Sequence, residues 1–307
     1  MTIIFYYIAF GFSWLVALIP LKVLYLFSDI LFPFTYYIFR YRKKIAFENL
    51  RNSFPEKPED EIRQIAKKFY HHLNDLLFES VKMIHLSPKQ LALRMQMKNP
   101  EIFEDLYLRK KSVIAVIGHY NNWEWILGTK PFVPHRSMAV YKPLNNTHFD
   151  KFMIKVRSKY GTEIIPMRKT LKTILEYNKN NVLTVSAFIA DQSPVWEEVQ
   201  YWTTFLNQDT PVYLGIEKIA KKTDQAVVFF HVQKIKRGWY EIDIIKLFDE
   251  VSGTVEHEIT EKHTRVLEQI IRDTPEYWLW THRRWKLTPK YHKFNGEKNE
   301  QGSRSHT

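Results

Sequence analysis

The chain has 307 residues, 45% hydrophobic and 15% aromatic, with no cysteine, and its 45 Lys and Arg against 33 Asp and Glu leave a formal charge of +12. The missing cysteines exclude a disulfide scaffold and cysteine-ligated zinc. The apolar share supports a sizeable core. The positive balance favours an anionic partner: nucleic acid, an acidic protein or a phosphorylated lipid.

In chain order, residues 3–21 form one uncharged stretch, long enough to cross a hydrocarbon core. A second apolar run, 23–39, is interrupted by Asp29 and Pro33 and ends in Arg40-Tyr-Arg-Lys-Lys44. No Lys or Arg precedes the first run and no small-residue cleavage site follows it, so it is expected to be a retained membrane anchor. The second run is expected to be interfacial or packed on the protein, with the basic cluster on the cytoplasmic side. Residues 45–98 read as helical: Ile62, Ile65, Ala66, Phe69, Leu73, Leu76 and Leu77 recur at helical spacing, Pro55 and Pro58 mark the turn before them, and the charged face reads as solvated.

From Ser112 onward, short β-like runs (112–117, 137–141, 163–165, 182–187, 226–232 and 239–245) alternate with helical ones (123–129, 147–160, 169–178, 211–222 and 255–272). This alternation predicts an α/β fold, a mixed, mostly parallel sheet flanked by helices. Only 9 glycines occur, and none forms a dinucleotide or phosphate-binding loop.

The sharpest chemical feature is Gly118-His-Tyr-Asn-Asn-Trp-Glu124, directly after the apolar run 113–117. Reaction sites of open α/β sheets lie at such strand ends. Asn121-Asn122 suits the cap of a helix starting near Trp123. Two residues five apart on one helix point roughly 140° away from each other. His119 in the turn and Glu124 in the first helical turn would instead let the carboxylate reach back, fix one imidazole tautomer and stabilise the imidazolium. With no serine or cysteine in the stretch, the natural task is to activate a substrate hydroxyl directly. His119, His135 and His148 lack the spacing of a metal-binding helix.

Three further places concentrate polar chemistry. Lys142, Arg157 and Arg168 sit near predicted strand ends, suited to phosphates or a developing oxyanion, although each taken singly reads better as an ordinary surface cation. Asp191 and Gln192 follow an apolar strand and either line the same cleft as His119 or cap the next turn. Tyr277-Trp-Leu-Trp-Thr-His-Arg-Arg-Trp-Lys286 interleaves aromatics with His282, Arg283 and Arg284. Such a cluster suits single-stranded nucleic acid or lipid headgroups, and the apolar N-terminus favours lipid.

These residues carry a resemblance. Asn49-Leu-Arg-Asn-Ser-Phe-Pro-Glu56, His119-x4-Glu124, Tyr141-Lys-Pro143 with Arg157 and Gly161, Asp191-Gln192, Phe205 and Pro275 to Lys286 follow one another as in the late lipid A biosynthesis acyltransferases. The chain resembles that lauroyl/myristoyl transferase family from its N-terminus to about Pro289, within the wider glycerolipid acyltransferase-like fold. The resemblance implies an inner-membrane enzyme facing the cytoplasm, which moves a fatty acyl group from acyl carrier protein, or acyl-coenzyme A in its place, to a hydroxyl of a glycolipid. It implies His119 and Glu124 as a catalytic dyad, and no cofactor, metal or nucleic acid. Lys142 stands where the family usually has Arg, and Leu206-Asn207 where it usually has Phe-Gly. Related members acylate lysophospholipids or aminolipids. A reading from outside enzymes, a binder of anionic membrane or nucleic acid, rests on the basic-aromatic residues alone. The expected organisation is an anchoring segment over 1–44, an acyltransferase domain over 45–289 and a disordered polar tail over 290–307.

Overall fold

Proline sets the first boundary of the chain. Residues 3–293 are described by a computed structural model, in which α1 (Ile3–Leu18) ends just before Pro20, whose extended backbone (ψ 142°) turns the chain into α2 (Leu21–Pro33). The run expected to be continuous over 3–21 is therefore broken. At 16 residues α1 is about 24 Å long, short of the roughly 30 Å hydrocarbon core. Among the described residues the stretch long and apolar enough to span is Leu21–Ile38, formed by α2 and a π-helical turn, Phe34–Ile38, that begins at Pro33. Both helices lay one side on α4 (Glu59–Lys82). Leu21, Leu24, Tyr25 and Ser28 of α2 are buried there, and Lys82 Nζ caps α1 through the Ala17 and Ile19 carbonyls (2.7 and 2.8 Å). The opposite faces carry exposed stripes at helical spacing: Phe12, Leu15 and Leu18, then Leu26, Ile30 and Phe34.

α3 (Lys43–Ser53) and α5 (Pro88–Arg94) complete the helical part. α5 starts on a Ser87–Gln90 capping box. The body follows as β1 (Met95–Met97), α6 (Glu101–Leu108), β2 (Val113–Ile117), β3 (Arg136–Tyr141), α7 (Thr147–Ser158), β4 (Glu163–Pro166), α8 (Thr170–Lys179), β5 (Thr184–Ile189), β6 (Tyr201–Phe205), β7 (Gln208–Val212), α9 (Gly215–Thr223), β8 (Ala226–Lys236), β9 (Trp239–Phe248) and α10 (Glu258–Asp273). Seven strands form one sheet in the order β1-β9-β8-β2-β5-β3-β4, parallel except for the β8–β9 hairpin. The predicted mixed, mostly parallel sheet flanked by helices is the architecture found. β2 lies at its centre, and all five of its residues are buried, as a strand covered on both faces requires.

Three local expectations differ. The helix read over 123–129 is a 3-10 turn, Trp125–Phe132, closed by Pro131. β1 lies inside the region read as helical. The start of the helix read over 211–222 belongs to a hairpin, β6–β7, whose two-residue turn is Leu206-Asn207, both left-handed (φ 51° and 62°). That is the backbone a tight hairpin requires. Leu206 accepts the strain because its side chain is fully buried and its N–H donates to Glu268 (3.0 Å). Two residues of the polar tail pack on this hairpin, Tyr291 stacking on Trp202 at 3.9 Å and His292 pairing with Asp209 at 2.7 Å. The tail expected to be disordered otherwise lies, at 294–307, outside the described residues.

Candidate active site

β2 and β5 run parallel with Ile117 opposite Ile189, so the residues leaving both strands emerge side by side. Gly118 makes this turn possible, since a Cβ there would stand 2.7 Å from Leu267 Cδ1 of α10. The next residue is His119. Asp191, two residues past β5, accepts the His119 backbone N–H at Oδ2 (2.7 Å) and meets ring Nδ1 at Oδ1 (2.6 Å). The Trp278 indole N–H is a third donor to the same carboxylate (2.7 Å). Burial alone would raise the Asp191 carboxyl. The His119 charge, the His119 hydrogen bonds and the Trp278 indole outweigh it and hold the group down at about 2. An ionised Asp191 fixes the Nδ1–H tautomer and leaves the Nε2 lone pair facing outward. The Gln192 side-chain nitrogen sits on that lone pair at 2.9 Å.

Glu124 does not meet the imidazole. Its carboxylate is held by Arg157 of α7 in a bidentate pair (Nε to Oε2 3.0 Å, Nη2 to Oε1 2.5 Å). The expected local contact fails because the chain between His119 and Glu124 is itself pinned. Asn121 is left-handed (φ 51°), and its backbone N–H donates to Tyr277 O (2.9 Å). Asn122 Oδ1 accepts from Trp125 N–H (3.0 Å), the capping role expected of the pair. The other end of Asn122 donates to Glu79 of α4 (2.6 Å). Glu79 also receives the Tyr25 and Tyr240 hydroxyls (2.7 and 2.8 Å). Burial, only partly offset by those hydrogen bonds, raises its carboxyl to about 7.

His119, Glu124, Lys142, Arg157 and Gln192 come together on one cleft of ≈ 520 Å³. Its inner wall is apolar, with Ile117, Ile126, Leu127, Ile164 and Ile189. The other expected site residues fall elsewhere. Arg168 is exposed and lies outside the cleft lining, although its neighbour Met167 belongs to it. His282 accepts from the Ser193 backbone N–H (3.4 Å), and burial lowers its ring to about 4. Arg283 is exposed away from the cleft. Arg284 corrects the surface reading of its segment. It is buried, bonds the Pro211 carbonyl (2.7 Å), and is lowered by that burial to about 10. Trp278, Trp280 and Trp285 are buried too. The basic-aromatic segment is thus an internal clamp that lays Trp278 on Asp191, with Arg283 and Lys286 turned to solvent. Sequence reasoning missed this use of Trp278, the Trp123 ring edge-on to His119 (5.0 Å), and Tyr213 on the cleft wall.

An oriented histidine at a parallel strand end, facing an apolar cleft with a cationic edge and beside an apolar helical pair, is a site suited to taking a proton from an amphiphilic substrate. The chain belongs to the bacterial lipid A biosynthesis acyltransferase family, whose model matches residues 1–287. It is 24% identical over 287 residues, 92% of each chain, to the lipid A biosynthesis lauroyltransferase of Escherichia coli (strain K12).

Proposed function

We propose that this acyltransferase moves a fatty acyl chain from an acyl carrier protein thioester to a hydroxyl of a lipid A precursor, at the cytoplasmic face of the inner membrane and without a cofactor. The observation that carries the reading is the His119 ring, locked by Asp191 with Nε2 toward an apolar cleft. In the reaction the acceptor hydroxyl displaces Gln192 from Nε2 and gives its proton there as its oxygen attacks the thioester carbonyl. The tetrahedral intermediate collapses by breaking the C–S bond, and the leaving sulfur takes the proton back from His119. Asp191 stabilises the imidazolium between the two steps. Glu124 acts through Arg157, which spends two of its five N–H donors on the carboxylate and keeps three for the oxyanion or an acceptor phosphate. The exposed stripes of α1 and α2 lie in the lipid and bring the acceptor to the cleft.

An acidic carrier fits the cleft rim. Tyr141 is opposite Pro166 in the β3–β4 register, so Lys142 and Arg168 leave the sheet at the same end. Lys151, Lys155, Lys169 and Lys172 are exposed on the adjoining helices and turn. None of these six makes an ion pair among the described residues. Transfer should therefore weaken with salt through the donor KM.

The test uses membranes containing the protein, labelled acyl carrier protein and two acceptors, a Kdo-bearing tetra-acylated lipid A precursor and a mixed lysolipid pool, with His119→Ala alongside. Label on the precursor that is lost in the variant is expected. Label on lysolipid alone would move the acceptor to the lysophospholipid class. No His119-dependent transfer to either would overturn the reading.

A further inference from the structure

A second concave site lies away from the chemistry, at the junction of the apolar helices and the body. It is a shallow groove of ≈ 450 Å³ that shares no lining residue with the catalytic cleft. Five cations line it: Lys43, Lys44, Arg51, Arg63 and Lys67. The one carboxylate among them, Glu59, is already taken by Arg51 (2.9 and 2.7 Å) and Arg63 (3.5 Å). Lys43 Nζ stands 3.6 Å above the Tyr36 ring. Burial and the like charges of Arg40 and Lys67 lower its ammonium. The arrangement leaves the charges of Lys43, Lys44 and Lys67 without a carboxylate partner among the described residues.

Its setting suggests what supplies one. Lys43 and Lys44 open α3, a helix without a side-chain cap or an acidic residue in its first turn. Cations there oppose the helix dipole, and an anion would relieve both. The groove wall continues through Tyr37 into Ile38 and Phe39, which are 62% and 72% exposed and extend the apolar stripe of α2. A membrane in contact with that stripe would hold its headgroups level with the groove.

We infer that this groove is a second lipid site, which takes the phosphate of a bilayer lipid headgroup on Lys43, Lys44 and Lys67 beside the aromatic wall of Tyr37 and Phe47. It would hold the enzyme on anionic membrane independently of acceptor or donor in the cleft.

The test is sedimentation of the full-length protein with phosphatidylcholine vesicles, with and without phosphatidate. Lys44→Gln/Lys67→Gln, both exposed, is compared with Lys222→Gln/Lys262→Gln, which removes the same charge from α9 and α10. The groove pair should lose about tenfold or more of the phosphatidate-dependent affinity and the distant pair less than about twofold. Acyl transfer to a detergent-dispersed acceptor should be unchanged by either pair, which separates this site from the catalytic reading. Equal losses in the two pairs would reduce the effect to diffuse attraction and overturn the site, as would wild-type binding indifferent to phosphatidate. Glycerol phosphate at constant ionic strength distinguishes the source. If it leaves groove-dependent vesicle binding intact, the phosphate is a lipid's. If it displaces the vesicles, the groove takes a free ester as well and is no dedicated lipid site.

Discussion

Asp191 fixes how the His119 ring works, and its three donors make a sharp prediction. In Asp191→Asn the amide oxygen would stay with the two fixed donors, His119 N–H and Trp278 Nε1–H. The amide NH₂ would then face Nδ1, forcing the proton to Nε2, where a base needs its lone pair. We predict a fall in kcat of about 10²–10⁴ with little change in KM, in protein that still melts cooperatively. A change confined to KM would remove Asp191 from the proton path. His119→Ala should lose activity at least as far. Arg157 and Glu124 form one bidentate pair, so Glu124→Gln/Arg157→Gln should cost hardly more than either single change, whereas independent roles would multiply. Arg157→Lys should not rescue, because a lysine cannot make the bidentate grip. His119 and Glu124 stood out in the sequence as a motif, and the structure brings both onto one cleft. The ring's carboxylate was not legible there, since His119 and Asp191 are 72 residues apart and only the β2–β5 register brings them together. Spacing along the chain sees local partners alone, and here it paired the wrong two.

At the scale of elements, α4 connects the apolar helices to the reaction loop. Its polar residues read as a solvated face, yet Asp75 and Glu79 are buried. α2 covers them with Ser28 and Tyr25, and the β8–β9 turn sends in Arg237, which pairs with both Asp75 and Asp29. Helical periodicity cannot show that a second amphipathic helix supplies donors to the charged side. Gly238 in the same turn has φ +73°, and a Cβ there would stand 2.1 Å from the Tyr25 hydroxyl. Gly238→Ala should therefore destabilise by both backbone strain and displacement of Tyr25 from Glu79. Glu79→Ala leaves the Tyr25 hydroxyl, the Tyr240 hydroxyl and the Asn122 amide without their acceptor, a loss of about 3 kcal/mol or more. Glu79→Gln keeps one oxygen and should fall between. Denaturant unfolding of the three variants checks the order. A kcat loss in Glu79→Ala that is partly restored in Glu79→Gln would show that the Asn122 bond positions the His119–Glu124 loop.

For the whole molecule, the fold class and most strand positions were readable from alternation, because a parallel sheet covered on both faces leaves short apolar runs between amphipathic ones. The destiny of residues 277–286 was not, because composition cannot separate an exposed aromatic surface from a buried clamp. The same burial gives the molecule a defined response to acid. His72, His263 and His282 are all held below the ordinary histidine value near 6.5, first of all by burial, His72 far below it and the other two at about 4. Between pH 6.5 and about 4 the unfolded chain binds protons at these rings that the folded chain refuses, so stability falls as pH drops through that window. Glu79 works the other way. Raised to about 7 from 4.5, chiefly by burial, it favours the folded state below 4.5 and loses that contribution as pH rises through 7. Asp191, held at about 2 against 3.8, begins to lose its contribution only below about pH 4. Burial also lowers His71, His135 and His231, so the histidines outweigh the one glutamate and give a net loss on mild acidification. Melting temperatures taken from neutral pH to about 4.5 should decline steadily. The decline should be steeper in Glu79→Gln, where the opposing proton is gone, although that variant starts lower. A melting temperature that stays flat over this range would mean that these rings charge freely in the folded state, and that the clamp around Asp191 admits water.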